Sequence, residues 1–296
     1  MKSNKAYKDM TKQERRAPAQ AKAQAALDRI GDGVRSVWES EEWAKWLRTL
    51  AKFHDYSLNN TMLIAMQMPE ATRVASYRSW RRDFDRHVKR GERGIEILVP
   101  MVVKSKLGED DETPQGDEEN TERKRLLGFK VGHVFDVSQT EGEPLPEIAE
   151  QVSADVNDFD SLMEAIKAVS AYPIEVVDGL PPETNGLFSR RMGYIAVRKG
   201  MPEGQTVKTA LHELAHSVMH DADAEELPDR AMREVQAESV AYAVSAALGL
   251  DTSDYSFGYV ASWAVGKTEE EMRQCMQAVR DAAKQILDRL QLVMEA

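Results

Sequence analysis

The 296-residue chain has a single cysteine, Cys275, which excludes a disulfide framework and any cysteine-rich zinc site. It has no apolar run approaching the roughly 18–20 residues of a membrane-spanning helix. Its first residues, MKSNKAYKDMTKQERR, contain no apolar stretch of the kind a secretory signal needs. The expectation is a soluble, cytoplasmic protein without a membrane partner. Hydrophobic residues make up 42% of the chain, enough for true cores, and the length suits one large or two ordinary domains.

The net charge of −11 is unevenly spread, with +7 over residues 1–100 and −18 over 101–296. A basic first third on an acidic protein points to a polyanion met by that third alone. Solvated faces also produce local charge runs, so the motifs have to decide.

Residues 1–20 are polar and read as a flexible N-terminal arm. From Ala21 the spacing becomes helical, through Ile30, Val34, Trp46, Leu47 and Leu50, with Gly31 and Gly33 expected to separate two helices. A third helix is predicted from Tyr56–Ser57 to Pro69. Alternating strands at 95–103 and 126–137 read as a hairpin. Its tip, a mobile loop over 108–123, carries eight acids between Glu109 and Glu122. The extended QTEGEPLPE places a domain boundary near 145, giving a domain over 21–145 and another over 146–296. The second opens with a helix near 158–170 and short strands, followed by helices near 206–220, 229–248 and 268–294. The class is α+β, with N-terminal helices and a small antiparallel sheet in the first domain.

The sharpest motif is TALHELAHSVMH, in which His212, Glu213 and His216 spell H-E-x-x-H. On a helix the two histidines lie one turn apart on one face and reach one tetrahedral Zn²⁺, with Glu213 placed as general base. The third ligand comes from REVQAESVAYAV, where Glu234 and Glu238 stand one turn apart on a helix of small residues. Glu234 is taken as the ligand and Glu238 as the acceptor for a ligand histidine's free N–H, with the reverse order open. A His₂Glu site with open positions admits Mn²⁺ as well as Zn²⁺. His220, one turn beyond His216, is read as lying outside the ligand set.

Residues 73–93 interleave cations and rings: Arg73, Tyr77, Arg78, Trp80, Arg81, Arg82, Lys89 and Arg90 stand among them. Such alternation suits single-stranded nucleic acid, cations following phosphates while bases stack on rings. Tyr56 and Asn59 upstream would extend the same surface. Trp80 and Phe84, at i and i+4, also fit a plain core pair.

Three strings, YSLNNTMLIAMQ, RVASYRSW with VKRGERGIEILVP, and VFDVSQTEG, together resemble the N-terminal domain of ArdC-type antirestriction proteins. HELAHSVMH, EVQAESVAYAV and YSFGYVASWA resemble the zincin-like metallopeptidase domain found behind it. The resemblance implies a protein that binds single-stranded DNA and protects incoming conjugative plasmid DNA from host restriction. It also implies a zinc metalloprotease built on His212, Glu213, His216 and a downstream Glu, and EVQAESVA favours Glu234. The protein substrate, a restriction component or a DNA-bound protein, is not named by the sequence. Two other readings compete: a single-strand binder with a structural or vestigial metal, and a protease-fold regulator whose first domain recognises protein.

Overall fold

The computed structural model describes residues 12–38, 40–105, 123–145, 159–222, 227–250, 252, 257 and 260–295. The chain begins with three helices, α1 (Lys12–Val37), α2 (Ser40–Lys52) and α3 (Leu58–Gln67). The arm expected over 1–20 is thus helical from Lys12, and residues 1–11 lie outside the described part. Strand β1 (Val74–Ser76), helix α4 (Tyr77–Asp83) and strands β2 (Arg86–Val88), β3 (Ile95–Ser105), β4 (Arg123–Asp136) and β5 (Thr140–Gly142) follow. The sheet order is β1-β4-β3, all antiparallel, and β2 pairs with β5. The expected hairpin is the β3–β4 pair, in register from Ile95↔Val134 to Ser105↔Arg123 with a bulge at Met101/Val102. Its acidic tip lies outside the described residues.

The second half holds helix α5 (Phe159–Val169), strands β6 (Ile174–Val177), β7 (Gly186–Ser189) and β8 (Tyr194–Arg198), and helices α6 (Glu203–Met219), α7 (Arg230–Ala247), α8 (Val260–Ala264) and α9 (Glu269–Met294). Strand β8 is central, parallel to β6 and antiparallel to β7, so β7 is an edge.

Gly31 and Gly33 do not end a helix, since α1 runs unbroken to Val37. A Cβ on Gly33 would stand 2.6 Å from Met66 Sδ, and one on Gly31 would stand 3.0 Å from Glu269 Oε1. Both glycines let α1 approach α3 and α9 closely, and they are indistinguishable in sequence from turn glycines.

Helix α3 explains its own motif. Ser57 caps it, accepting from the Asn60 backbone N–H. The buried Asn60 amide then satisfies β3 like another strand: its Nδ2 donates to Leu98 O at 3.0 Å and the Leu98 N–H donates to its Oδ1 at 2.8 Å. Two turns on, Gln67 repeats this with Glu96, at 3.0 and 2.9 Å. The outer edge of β3 is thereby covered by side-chain amides. Replacing Asn60 with Ala leaves two backbone groups at Leu98 unpaired and should cost about 2–5 kcal/mol. A shift in the urea midpoint corresponding to under about 0.5 kcal/mol would refute that role.

VFDVSQTEG has a similar explanation. Buried Asp136 accepts from the backbone N–H groups of Thr72, Arg73 and Ser138 at 2.7, 3.0 and 3.0 Å. Burial opposes its charge, yet those donors outweigh it and hold the carboxyl below its usual value.

The two halves do not have separate cores. Trp43, Trp46, Leu47 and Leu50 on α2 are fully buried in one apolar cluster that runs on through α7 and α9. Trp43 Nε1 donates to buried Ser239 Oγ on α7 at 3.0 Å, and Trp38 packs against Trp263 of α8 with tilted rings 4.8 Å apart. A smaller cluster of Phe53, Ile64, Ala71, Ile95, Ile97 and Val134 lies under the first sheet. One apolar cluster therefore includes residues from both sides of the composition break near 145.

Candidate functional site

Helix α6 carries His212 and His216 on one face, and the opposite face, with Val207, Ala210, Leu211 and Leu214, is buried. Helix α7 lies against it and presents Glu234 and Glu238. Three atoms converge: His212 Nε2 and His216 Nε2 lie 3.1 Å apart, and Glu234 Oε2 is 3.5 Å from the first and 3.8 Å from the second. Tetrahedral zinc with ligands at about 2.0–2.1 Å needs ligand atoms about 3.3 Å apart, so the set fits such an ion.

The surrounding groups aim the rings. His212 Nδ1 meets Glu238 Oε2 at 3.1 Å, and Glu238 Oε1 meets Lys208 Nζ at 3.3 Å. His216 Nδ1 meets His220 Nδ1 at 2.9 Å, and His220 Nε2 meets Gln236 Oε1 at 2.9 Å. If both Nε2 lone pairs face the common point, each Nδ1 carries a proton, donated to Glu238 and to His220 respectively. His220 then donates its Nε2–H to Gln236.

Burial disfavours a charged His212, but Glu234 and Glu238 outweigh it and raise the imidazole to about 9. His212 and His216 in turn hold Glu234 far below the usual carboxylate range. Burial keeps His220 neutral, lowered to about 4, with nearby His216 and Arg233 acting in the same direction. Glu238 is pushed up by burial and pulled down further by His212 and Lys208.

Glu213 is buried beside this cluster at the edge of the second sheet. Its Oε2 accepts the Phe188 backbone N–H of β7 at 2.7 Å, and burial raises its pKa. Gly186 makes room for it, since a Cβ there would stand 2.7 Å from Glu213 Cγ and 2.6 Å from Thr209 Cγ2. Gly186→Ala should therefore displace the Glu213 carboxylate without touching the histidines. Metal stoichiometry should stay unchanged while any hydrolysis falls, and full activity would show that Glu213 tolerates the shift. The cleft in front of these residues has a volume of about 740 Å³ and is lined by β7, α6 and α7.

The aromatic and basic residues of the first half separate into groups. Tyr77, Arg78 and Arg81 are exposed on α4, with Tyr77 edge-on to Phe135. Arg82 is exposed too, but its guanidinium is held by Asp83 at 2.6 and 2.9 Å. Arg90 is exposed and Arg73 half-buried, while Lys89 donates to Ser138 O at 2.9 Å. Trp80 is fully buried and donates its indole N–H to Phe135 O at 2.7 Å, so it is a core residue and offers no face for stacking. Asn59 and the Tyr56 carbonyl are engaged by Arg273 and Arg280 of α9, at 3.1 and 3.0 Å, away from α4. Gly186, Phe188, Gln236 and Lys208 escaped the sequence reading. Only Lys208, one turn before His212, left a signal in its spacing.

Among the described residues no helix is long and apolar enough to cross a membrane. Residues 21–135 match the N-terminal domain of anti-restriction factor ArdC. An uncharacterized protein of Bacillus anthracis, pXO2-81, is 24% identical over 88% of this chain, and the chain spans about half that relative's length. Crystal structures of the antirestriction ArdC protein from plasmid R388 are also similar. The metal-free form gives a TM-score of 0.45 at 17% identity, covering 80% of this chain and 86% of that one. The Mn(II)-bound form gives 0.48 at 18%, covering 90% and 97%. Residues 21–135 are thus similar to the N-terminal domain of the ArdC anti-restriction factors.

Proposed function

We propose that the chain is a bacterial cytoplasmic antirestriction protein that couples single-stranded DNA binding to a metal-dependent peptidase. The observation that carries the enzymatic half is the convergence of His212 Nε2, His216 Nε2 and Glu234 Oε2, with buried Glu213 beside them. The H-E-x-x-H helix, the carboxylate helix and the edge strand β7 support a zincin-like reading of this half. A divalent cation held by His212, His216 and Glu234, Zn²⁺ or Mn²⁺, supplies Lewis-acid polarisation of a substrate carbonyl when bound. Glu213 takes the proton of the attacking water and returns it to the leaving amine. Phe188 N–H fixes that carboxylate, while Glu238 and His220 fix the ligand rings. A structural metal would need no raised, buried carboxylate at its side, which favours the catalytic reading over a vestigial site.

For the first half, the ArdC-type domain and the exposed Tyr77, Arg78 and Arg81 support binding to single strands. The protein substrate would be one found on or near transferred DNA, such as a restriction component. Two measurements on the full-length protein test this. Metal-loaded wild type should cleave a mixed peptide pool, and Glu213→Gln should lose about 10²–10⁴-fold in rate with metal content unchanged. Cleavage surviving that change would remove Glu213 as the base. Oligonucleotide titration at two salt concentrations should give tighter, salt-sensitive binding to the single strand than to its duplex. Equal affinities would remove single-strand specificity.

A further inference from the structure

We propose that the cleft selects peptides bearing a carboxylate close to the scissile bond, held by Arg230 and Arg233. The inference rests on the peptidase reading and names its substrate class. Helix α7 presents Arg230, Arg233, Glu234 and Glu238 along one face, and all four line the cleft. The two arginines sit toward the N-terminal end of α7, so Arg230 is about 6 Å along the helix from Glu234. One or two residues of extended peptide cover such a distance, at about 3.3 Å each.

The other cations of the cleft are already neutralised. Arg190 pairs with Asp221 at 2.9 Å, and Lys208 with Glu238 at 3.3 Å. Arg230 and Arg233 form no ion pair among the described residues, and the Nε of Arg233 is buried without a hydrogen-bond partner. The Arg233 Nε has thus lost its water without gaining a partner, while Arg230 is exposed beside it, and an arriving carboxylate offers both guanidinium groups charge-assisted hydrogen bonds in the geometry of the fork. Both anionic side chains and a free C-terminus offer that group.

A peptide fits better than a nucleic acid. Glu183, Glu213, Glu234 and Glu238 line the same cleft, so a continuous polyanion meets carboxylates beside the two arginines. A single carboxylate on an otherwise neutral chain does not.

The test uses full-length, metal-loaded protein and three short peptide hydroxamates: one with an internal Glu and an amidated end, one neutral with a free C-terminal carboxylate, and one neutral and amidated. Isothermal titration should show one of the acidic compounds binding about 10–100-fold more tightly than the neutral one, and which of them does so distinguishes side chain from C-terminus. The preference should vanish in Arg230→Gln/Arg233→Gln at unchanged metal content. Equal binding of all three, a preference that survives the double substitution, or displacement of the acidic compound by a single-stranded oligonucleotide would each overturn the proposal. If none of the compounds binds, the proposal and the peptidase reading fall together. If the preference holds but matched peptides are never cleaved, the carboxylate site stands and the peptidase reading fails alone.

Discussion

Severing the chain between residues 145 and 159 should leave neither half with a folded core. Helix α2 buries Trp43, Trp46, Leu47 and Leu50 completely, in a cluster completed by α7 and α9. Each such side chain contributes about 1.5–3 kcal/mol on burial, against a total stability of about 5–15 kcal/mol for an ordinary domain. Polar contacts add to the loss, among them Trp43 to Ser239 and Arg273 to Asn59. Fragments 1–150 and 151–296 should each lack near-ultraviolet ellipticity and a cooperative unfolding transition, and should recover both on mixing. A cooperative transition in either fragment alone would contradict the shared core. In the intact chain, Trp43→Ala should cost about 3–5 kcal/mol, read from urea unfolding.

The second large effect concerns the metal. Glu234→Ala removes one of the three converging atoms, whereas Glu238→Ala removes only the partner of His212 Nδ1. Chelator competition should show Glu238→Ala weakening metal binding by about 10–100-fold, the usual cost of an outer partner, and Glu234→Ala weakening it well beyond that. The opposite order would exchange their roles. Metal uptake should also displace a proton, because Glu234 and Glu238 raise His212 to about 9. Affinity should accordingly tighten as pH rises from 6 to 8.

The convergence of His212, His216 and Glu234 was legible in sequence because its information is local: two histidines one turn apart, and two glutamates one turn apart on a second helix. The helix starts were legible for the same reason, with Ser57 capping α3. What stayed hidden depends on the partner. Gly31 and Gly33 look like a break until Met66 and Glu269 are seen against them. Trp80 and Phe84 have the spacing of a stacking platform and of a core pair alike, and only the Phe135 carbonyl distinguishes the two. Composition near 145 records where the chain is polar, and the cluster shared by α2, α7 and α9 depends on pairings that composition does not hold. His220 was legible as a residue outside the ligand set, but its burial against Gln236 depends on α7.

The place of α7 as the common wall of both halves has a consequence for biosynthesis. The tryptophans of α2 leave the ribosome well before the helix that covers them, with about 195 residues between Lys52 and Ala247. At about 5–20 residues per second, that leaves the apolar face of α2 uncovered for on the order of 10–40 s in every nascent chain. A newly made molecule thus carries this face uncovered by α7 until that helix emerges, and premature termination anywhere before residue 230 yields a product that lacks that wall of its core.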